Sequence, residues 1–297
     1  MCGGQPGDSH QPEPCQYTGG HGRPGASHKG HARRKNEPDA GNAGAADLAI
    51  FHLNTSNGIL SRTFGAEGRN VNAVAWCPQG DYLVTGTSGN PEVQIYSFLD
   101  GELSLVDESD MSANRSVQLG AVDWNSDGDY FVVGLNKDTR NERPEISIYY
   151  FDKVSQTITL THSVNIDQQI SAVSWSPNSN FVAVGLAGSS ERLRIYEHNI
   201  SSGAFSEKEN ARVGESVTVN ALNWNADSSQ LAVGLNTGSS ELKVYSFDKD
   251  ICSLQILTQL KNNQNIYSVR WSPDNTYLAF GDVAGNLTVY DFNSIEF

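Results

Sequence analysis

Residues 170–186 read ISAVSWSPNSNFVAVGL, and four other stretches of the chain repeat this pattern. Each stretch contains a tryptophan and, ten residues later, a glycine. The tryptophans are Trp76, Trp124, Trp175, Trp224 and Trp271, and the glycines are Gly86, Gly134, Gly185, Gly234 and Gly281. Successive tryptophans lie 48, 51, 49 and 47 residues apart. A near-constant period with a fixed internal spacing indicates one supersecondary unit repeated five times.

Each unit predicts a β-hairpin followed by two further strands. A short apolar run ends in the tryptophan, a turn cluster such as Pro177-Asn178-Ser179 follows, and a second apolar run ends at the glycine. A third run ends in an aliphatic residue and a tyrosine, at Tyr96, Tyr149, Tyr196, Tyr245 and Tyr290. A fourth, weaker run occurs at residues 157–160 and 253–257. Four antiparallel strands per period form one blade.

Three residues before each tryptophan the side chain is small: Ala73, Ala121, Ala172, Ala221 and Ser268. A column of small side chains suits the crowded inner part of a radial array of sheets. We therefore expect the repeated tryptophans, glycines and tyrosines to serve packing and turn geometry.

Over residues 47–293 the units resemble WD repeats, the blades of β-propellers. The family's tryptophan-aspartate pair is replaced by tyrosine followed by Ser97, Tyr150, Glu197, Ser246 or Asp291. Its glycine-histidine pair is replaced at the histidine by Glu67, Arg115, Ile166, Glu215 or Asn262. The buried hydrogen-bond network from histidine to tryptophan that many WD repeats use therefore cannot form, and we expect apolar packing to hold the blades together.

The resulting prediction is an all-β fold, a β-propeller of four-stranded antiparallel blades. Five repeats begin near residues 71, 119, 170, 219 and 266, after a leading half-blade. In that half-blade, residues 48–51 resemble a third strand and residues 59–64 a fourth. Either residues 59–64 pair beside residues 286–292 and close a five-bladed ring, or the chain is an incomplete larger ring. The second alternative is favoured, since the first leaves a third strand unused.

Residues 1–46 differ from the rest of the chain. Residues 1–45 contain no Leu, Ile, Val, Phe or Trp, so they cannot bury enough surface to offset the cost of ordering them. We predict a disordered low-complexity tail at 1–46 and a propeller at 47–297. The tail has no apolar stretch typical of a signal peptide, and no apolar run is long enough for a membrane span. A cytoplasmic location is predicted.

The net charge is −14, and it resides in the propeller, because the tail holds five basic and four acidic residues. An acidic body argues against nucleic acid as a partner, since that requires a basic surface. Four cysteines, two of them in the tail, do not form a disulfide framework. Asp123, Asn125 and Asp127 begin a calcium-loop pattern, but its twelfth position is Gly134 instead of glutamate. We expect no cofactor, no obligate metal and no catalytic constellation.

The function predicted is a non-catalytic scaffold that binds a protein or peptide on one rim. That rim is built from the fourth-to-first and second-to-third loops, where a rigid frame carries variable residues. Its candidate binding residues are Arg69, Gln118, Arg140, Arg143, Gln168, Gln169 and Asn265, with Asn70, Lys137, Asp138, Glu142 and Asp167 nearby. The alternative is a propeller hydrolase or lactonase, or the propeller of a larger enzyme. The residues before each tryptophan do not converge on one chemistry, which disfavours it.

Overall fold

A computed structural model describes residues 48–66, 70–111, 116–138, 143–188, 191–200, 202, 204–214 and 217–292. The predicted tail and the candidate residues Arg69, Arg140 and Glu142 lie outside these ranges. The side chains of residues 65, 66 and 119 also lie outside the description.

The described chain contains twenty-one β-strands and one three-residue 3-10 helix, Glu209–Ala211. A leading hairpin consists of β1 (Leu48–Asn54) and β2 (Ile59–Ala66). The first blade contains β3 (Val71–Trp76), β4 (Tyr82–Thr87), β5 (Val93–Leu99) and β6 (Glu102–Ser109). The second contains β7 (Val117–Trp124), β8 (Tyr130–Leu135), β9 (Ile146–Asp152) and β10 (Thr157–Val164). The third contains β11 (Gln169–Trp175), β12 (Phe181–Ala187), β13 (Leu193–Asn199) and β14 (Ala204–Glu207). The fourth contains β15 (Val219–Trp224), β16 (Gln230–Leu235), β17 (Leu242–Asp248) and β18 (Ser253–Leu260), and the fifth contains β19 (Ile266–Trp271), β20 (Tyr277–Asp282) and β21 (Leu287–Asp291).

The predicted fold class is confirmed. The five repeats form five antiparallel sheets arranged in a ring, as a five-bladed β-propeller, and within each sheet neighbouring strands are consecutive in the chain. The second repeat begins its pairing at Val117, opposite Leu135, and a register shift follows before Val122. The pair formed by the residue that follows the periodic glycine therefore lies two residues further from the tryptophan than the equivalent pair in the other repeats.

Of the two alternatives for the leading half-blade, the less favoured one, in which residues 59–64 complete the fifth blade, is excluded. Strand β2 pairs with β1, with Ile50 opposite Phe64, and the hairpin forms a separate two-stranded sheet. Leu48 packs in one apolar cluster with Val71 and Leu83 of the first blade. Strand β1, which in the sequence resembles a third strand without a partner, thus pairs with β2. The two strands satisfy each other's hydrogen bonds and together cover the first blade.

The periodic glycines make room for the next blade. A side chain on Gly185 would begin 2.5 Å from Val219, the first residue of β15 in the following blade. Gly86, Gly134 and Gly234 stand in the same relation to Val117, Ile170 and Ile266, at 2.3, 2.4 and 2.6 Å. Any larger residue would push apart two inner strands in a close-packed interior.

The tryptophans pack in the core between blades. Trp124, Trp175, Trp224 and Trp271 are buried, and Trp76 is half-buried. The ring N–H of Trp124 donates to the backbone carbonyl of Ala75 in the preceding blade at 3.0 Å, and Trp224 donates to Ser174 at 3.1 Å. These two bonds link first strands of neighbouring blades without the histidine of the WD pattern, whereas the ring N–H of Trp175 donates to Ser179 in its own blade at 3.0 Å.

The turns between first and second strands also connect neighbouring blades. Ser179, Ser228 and Asn275 occupy the same place in their turns and have positive φ angles of 61°, 63° and 61°. Each side chain accepts a hydrogen bond from a backbone N–H in the preceding blade's turn: Ser126, Asn178 and Ala226 respectively. A strained conformation is tolerated there because the side chain joins two blades.

Candidate interaction rim

We use the name loop rim for the end of the propeller that carries the fourth-to-first and second-to-third loops. Its described residues are 70, 88–92, 110, 111, 116–118, 136–138, 143–145, 165–169, 187, 188, 191, 192, 208–214, 217, 218, 236–241, 261–265 and 283–286. The opposite end, the turn rim, carries the turns that join first to second and third to fourth strands. Because strands in a blade alternate in direction, every loop of one kind lies at the same end.

Two of the predicted site residues contact each other. The side chain of Gln169 donates to the side-chain oxygen of Gln118 at 3.0 Å, joining the third blade to the second. Gln118 in turn donates to the carbonyl of Ser116 at 3.3 Å. Both glutamines are half-buried, so part of each amide remains accessible to a ligand. Gln168 precedes Gln169 in the loop that leads into β11, and its side-chain oxygen lies near Gly188.

An ion pair lies on the same side of the loop rim. Lys137 in the long loop of the second blade contacts Asp167 at 2.5 Å, and both side chains are about half exposed, at 48% and 49%. Such exposed pairs contribute little to stability, roughly 0–1 kcal/mol. Their effect is to hold the start of the long loop against the loop that leads into β11, next to Gln168.

The predicted site residue Asn265 makes its contacts in other blades. Asn265 precedes β19 and accepts a hydrogen bond from the backbone of Thr237 at 2.7 Å. Its own carbonyl accepts from Val283 at 2.9 Å, so Asn265 ties the fourth and fifth blades. Arg143 is half-buried at the end of the long loop. The structure therefore groups Gln118, Gln168 and Gln169 but does not place Asn265 with them.

Buried glutamates below the loop rim were missed by the sequence reasoning. Glu145 precedes β9 and accepts backbone N–H groups from Asp138, Ile166 and Asp167. Glu241 precedes β17 and accepts from Gly238, Asn262 and Asn263. Glu92 precedes β5 and accepts from Met111 at 2.8 Å. Each carboxylate binds one or both loops of its blade, and all three are almost completely buried.

These glutamates fix the backbone on which the rim side chains stand. Burial alone would raise the pKa of Glu241, but the N–H groups of Gly238, Asn263 and Asn262 outweigh it, so the pKa is lowered. The carboxylate is thus charged at neutral pH and holds both loops. The sequence does contain a pattern that could have identified these three residues. A glutamate stands directly before the third strand in the sequences PEV (91–93), PEI (144–146) and SEL (240–242).

Polar residues next to the tryptophans connect blades. The side chain of Asp123 accepts from the backbone N–H of Trp175, and that of Asn223 accepts from Trp271, both at 2.8 Å. Burial lowers the pKa of Arg270, and Asp123 opposes that shift.

Among the described residues, no three His, Cys, Asp or Glu side chains are grouped so that they could hold a metal ion. Nor does the described chain have a helix of the length and hydropathy that crossing a membrane requires.

Successive blades of this kind around a ring define the chain as a β-propeller protein. Residues 52–274 match the family described as ELP1 first N-terminal β-propeller, and the chain belongs to that family. Comparison with curated proteins gave no match.

Solved structures share the fold at low sequence identity. A protein from Lactobacillus plantarum is 13% identical, with 84% of this chain and 89% of that chain covered and a TM-score of 0.57. Sqt1 from Chaetomium thermophilum is 17% identical with a TM-score of 0.54, and the alignment covers 82% of this chain but 61% of Sqt1. A chain of the mitotic checkpoint complex is 18% identical over 82% of this chain and 81% of that one, with a TM-score of 0.53.

Proposed function

We propose that this propeller is a non-catalytic, cytoplasmic scaffold of the WD-repeat type that binds a protein or peptide on its loop rim. The observation that carries the proposal is the group of Gln118, Gln168, Gln169 and the Lys137–Asp167 pair. These polar side chains are partly accessible, and Glu145 holds from below the loops that carry Lys137, Asp167 and Gln168. A preorganised polar surface of this kind loses little conformational entropy on binding.

Two further observations support an interaction role. The structural neighbours include a chain of the mitotic checkpoint complex, which is itself a protein assembly. The propeller carries 30 acidic and 15 basic residues, so a protein partner is better suited to it than nucleic acid. Asp123 and Asn223, the polar residues that an enzymatic role could have used, already accept hydrogen bonds from the next blade. A stoichiometric metal ion in the purified protein would favour the hydrolase alternative.

The test compares the two rims with matched substitutions. One variant carries Arg140→Ala and Arg143→Ala together with Gln118→Ala and Gln169→Ala on the loop rim. The control carries Lys153→Ala and Lys249→Ala on the turn rim, which also removes two positive charges. A partner is first identified by affinity purification with the unaltered chain, and its dissociation constant is then measured for each variant.

We expect the loop-rim variant to bind the partner at least tenfold more weakly, which corresponds to about 1.4 kcal/mol, while its melting temperature changes little. The turn-rim control should bind like the unaltered chain. The opposite result would contradict the proposal. If the turn-rim variant loses the partner and the loop-rim variant retains it, the binding surface lies on the turn rim.

A further inference from the structure

The residue before each periodic tryptophan lies at the same level around the propeller axis. The first strands of successive blades contact one another, so they are the innermost strands and surround the central channel. Each tryptophan ends its first strand, and the turn to the second strand follows. The preceding residues therefore lie at the turn-rim end of the channel. They are Ala75, Asp123, Ser174, Asn223 and Arg270.

Contacts connect four of these residues around the axis. The Asp123 carboxylate accepts the backbone N–H of the tryptophan that follows Ser174, at 2.8 Å. The Ser174 carbonyl accepts the ring N–H of the tryptophan that follows Asn223, at 3.1 Å. The Asn223 side-chain oxygen accepts the backbone N–H of the tryptophan that follows Arg270, at 2.8 Å. Arg270 interacts electrostatically with Asp123, although these two residues belong to the fifth and second blades. Because those blades are not neighbours, this interaction spans the channel.

Three of these side chains have hydrogen-bond donors that the described chain does not use. Ser174 is completely buried, and its hydroxyl makes no hydrogen bond. Asn223 uses its side-chain oxygen, but no described residue accepts a hydrogen bond from its NH2 group. Arg270 makes neither a hydrogen bond nor a close ion pair within the described part of the chain, although a guanidinium carries five donors.

These unused donors are unfavourable for the protein alone. A buried polar group without a partner costs free energy, and a desolvated charge costs more. Burial lowers the pKa of Arg270, and the attraction to Asp123 does not fully offset this effect. The side chain is nevertheless only half-buried, so a small solute can reach it. An anion with oxygen acceptors would supply the partners that the three side chains lack.

We propose that the turn-rim end of the central channel is a carboxylate-binding site, in which Arg270, Asn223 and Ser174 donate hydrogen bonds to the ligand. A guanidinium binds a carboxylate through two parallel hydrogen bonds, which accounts for the arginine. Asp123 limits the charge of the ligand, because it repels a dianion more strongly than a monoanion. The site lies at the opposite end from the loop rim and does not depend on the scaffold function proposed above.

The binding test uses the full chain and isothermal titration calorimetry at pH 8 and constant ionic strength, with sodium chloride as the replaced salt. The probes are sodium acetate, sodium phosphate and a tripeptide, Ala-Glu-Ala, with both termini blocked. We expect saturable binding of acetate at one site and at least threefold weaker binding of phosphate, which is mainly a dianion at this pH. Binding of acetate alone identifies a free small carboxylate as the ligand, whereas binding of the tripeptide as well identifies the acidic side chain of a protein.

Two variants change the charge of the site and keep its hydrogen bonds between blades. Asn223→Asp retains an oxygen for the backbone N–H in the fifth blade, but it removes two donors and adds a negative charge. Asp123→Asn retains an oxygen for the backbone N–H in the third blade and removes a negative charge. We expect Asn223→Asp to weaken acetate binding at least tenfold. Asp123→Asn should strengthen it at least threefold and reduce the preference for acetate over phosphate.

Two further variants test the donors themselves. Arg270→Gln should abolish acetate binding, whereas Arg62→Gln, the same change on the exposed leading hairpin, should leave it unchanged. Ser174→Ala should weaken binding at least threefold without lowering the melting temperature, because the hydroxyl has no partner in the protein. If Arg270→Gln does not fold, the opposite effects expected of Asn223→Asp and Asp123→Asn decide the question.

Three outcomes would overturn the proposal, and none of them bears on the loop rim. Heats of acetate addition that do not saturate would show that the channel holds no carboxylate. Weaker binding in Asp123→Asn would show that this carboxylate does not repel the ligand and that its role is to hold Arg270. Equal losses in Arg62→Gln and Arg270→Gln would show that acetate responds to the overall charge of the protein and not to this site.

Discussion

At the scale of the residue, His198 is the clearest departure from the repeat. Four blades place a phenylalanine near the end of the third strand, and the third blade places this histidine there. The side chain is 1% exposed and packs edge-on against Trp175, at 5.3 Å between ring centres. Within the described chain, neither ring nitrogen makes a hydrogen bond. Burial lowers the pKa of His198, neighbouring His162 lowers it further, and Asp129 opposes both effects.

We predict that His198→Phe stabilises the protein more in mild acid than at pH 8. In the unfolded chain a histidine takes up a proton below about pH 6.5, whereas folded His198 takes it up only at lower pH. The unaltered protein therefore loses stability as the pH falls below about 6.5, by up to about 1.4 kcal/mol per pH unit. The variant should escape this loss. Urea unfolding at pH 8 and pH 5.5 measures the difference.

The exposed His52 provides the control for this experiment. His52→Phe should leave the pH dependence of stability unchanged, because that side chain is not part of the core. If His198→Phe shifts the free energy of unfolding equally at both pH values, the histidine does not titrate differently on folding, and its role is packing alone.

At the scale of the element, the periodic glycines determine how closely two blades approach. Gly185→Ala would place a methyl group 2.5 Å from Val219 of the next inner strand. Such overpacking costs about 1–3 kcal/mol. Gly281→Ala is the matched control, since the new methyl group would meet the hydroxyl of Ser268 in its own sheet at 2.7 Å and no residue of another blade.

We expect Gly185→Ala to lower the free energy of unfolding by more than Gly281→Ala, with both measured by urea unfolding. The two glycines have the same place in their repeats, so helix or strand propensity cannot explain a difference. If both substitutions lower the free energy of unfolding by the same amount, the glycines are required by contacts within their own sheets and not by the neighbouring blade.

The strands were predictable from the sequence because each is short, apolar and bounded by turn residues. The first three strands of every repeat occur where the period places them. The fourth strands were harder to predict, since they are only partly buried: β14 of the third blade is four residues long, and Val213 continues its pairing as an isolated bridge. The contact between Gln118 and Gln169 was not predictable, because it depends on the distance between two blades. Glu145 and Glu241 were overlooked because charged residues are usually exposed.

At the scale of the whole molecule, the stability of each blade depends on its neighbours. Sheets of a repeat protein contact only the sheets next to them, so stability is approximately a sum over interfaces. Leu242 and Val244 in the fourth blade are 5% and 1% exposed, whereas their counterparts Leu287 and Val289 in the fifth are 59% and 48% exposed. In the described chain, this part of the third strand of the fifth blade is therefore largely exposed. A repeat count alone could not predict this, because it says nothing about which faces meet.

We predict that the fifth blade opens locally at a lower free energy than the other blades. Hydrogen exchange measures this at matched positions: the amides of Leu278 and Phe280 in β20 against those of Val182 and Val184 in β12. Protection factors in β20 should be at least tenfold lower, which corresponds to about 1.4 kcal/mol. Equal protection in β12 and β20 would mean that the sheets unfold as one cooperative unit, and that the exposed face of the fifth blade costs the molecule nothing measurable.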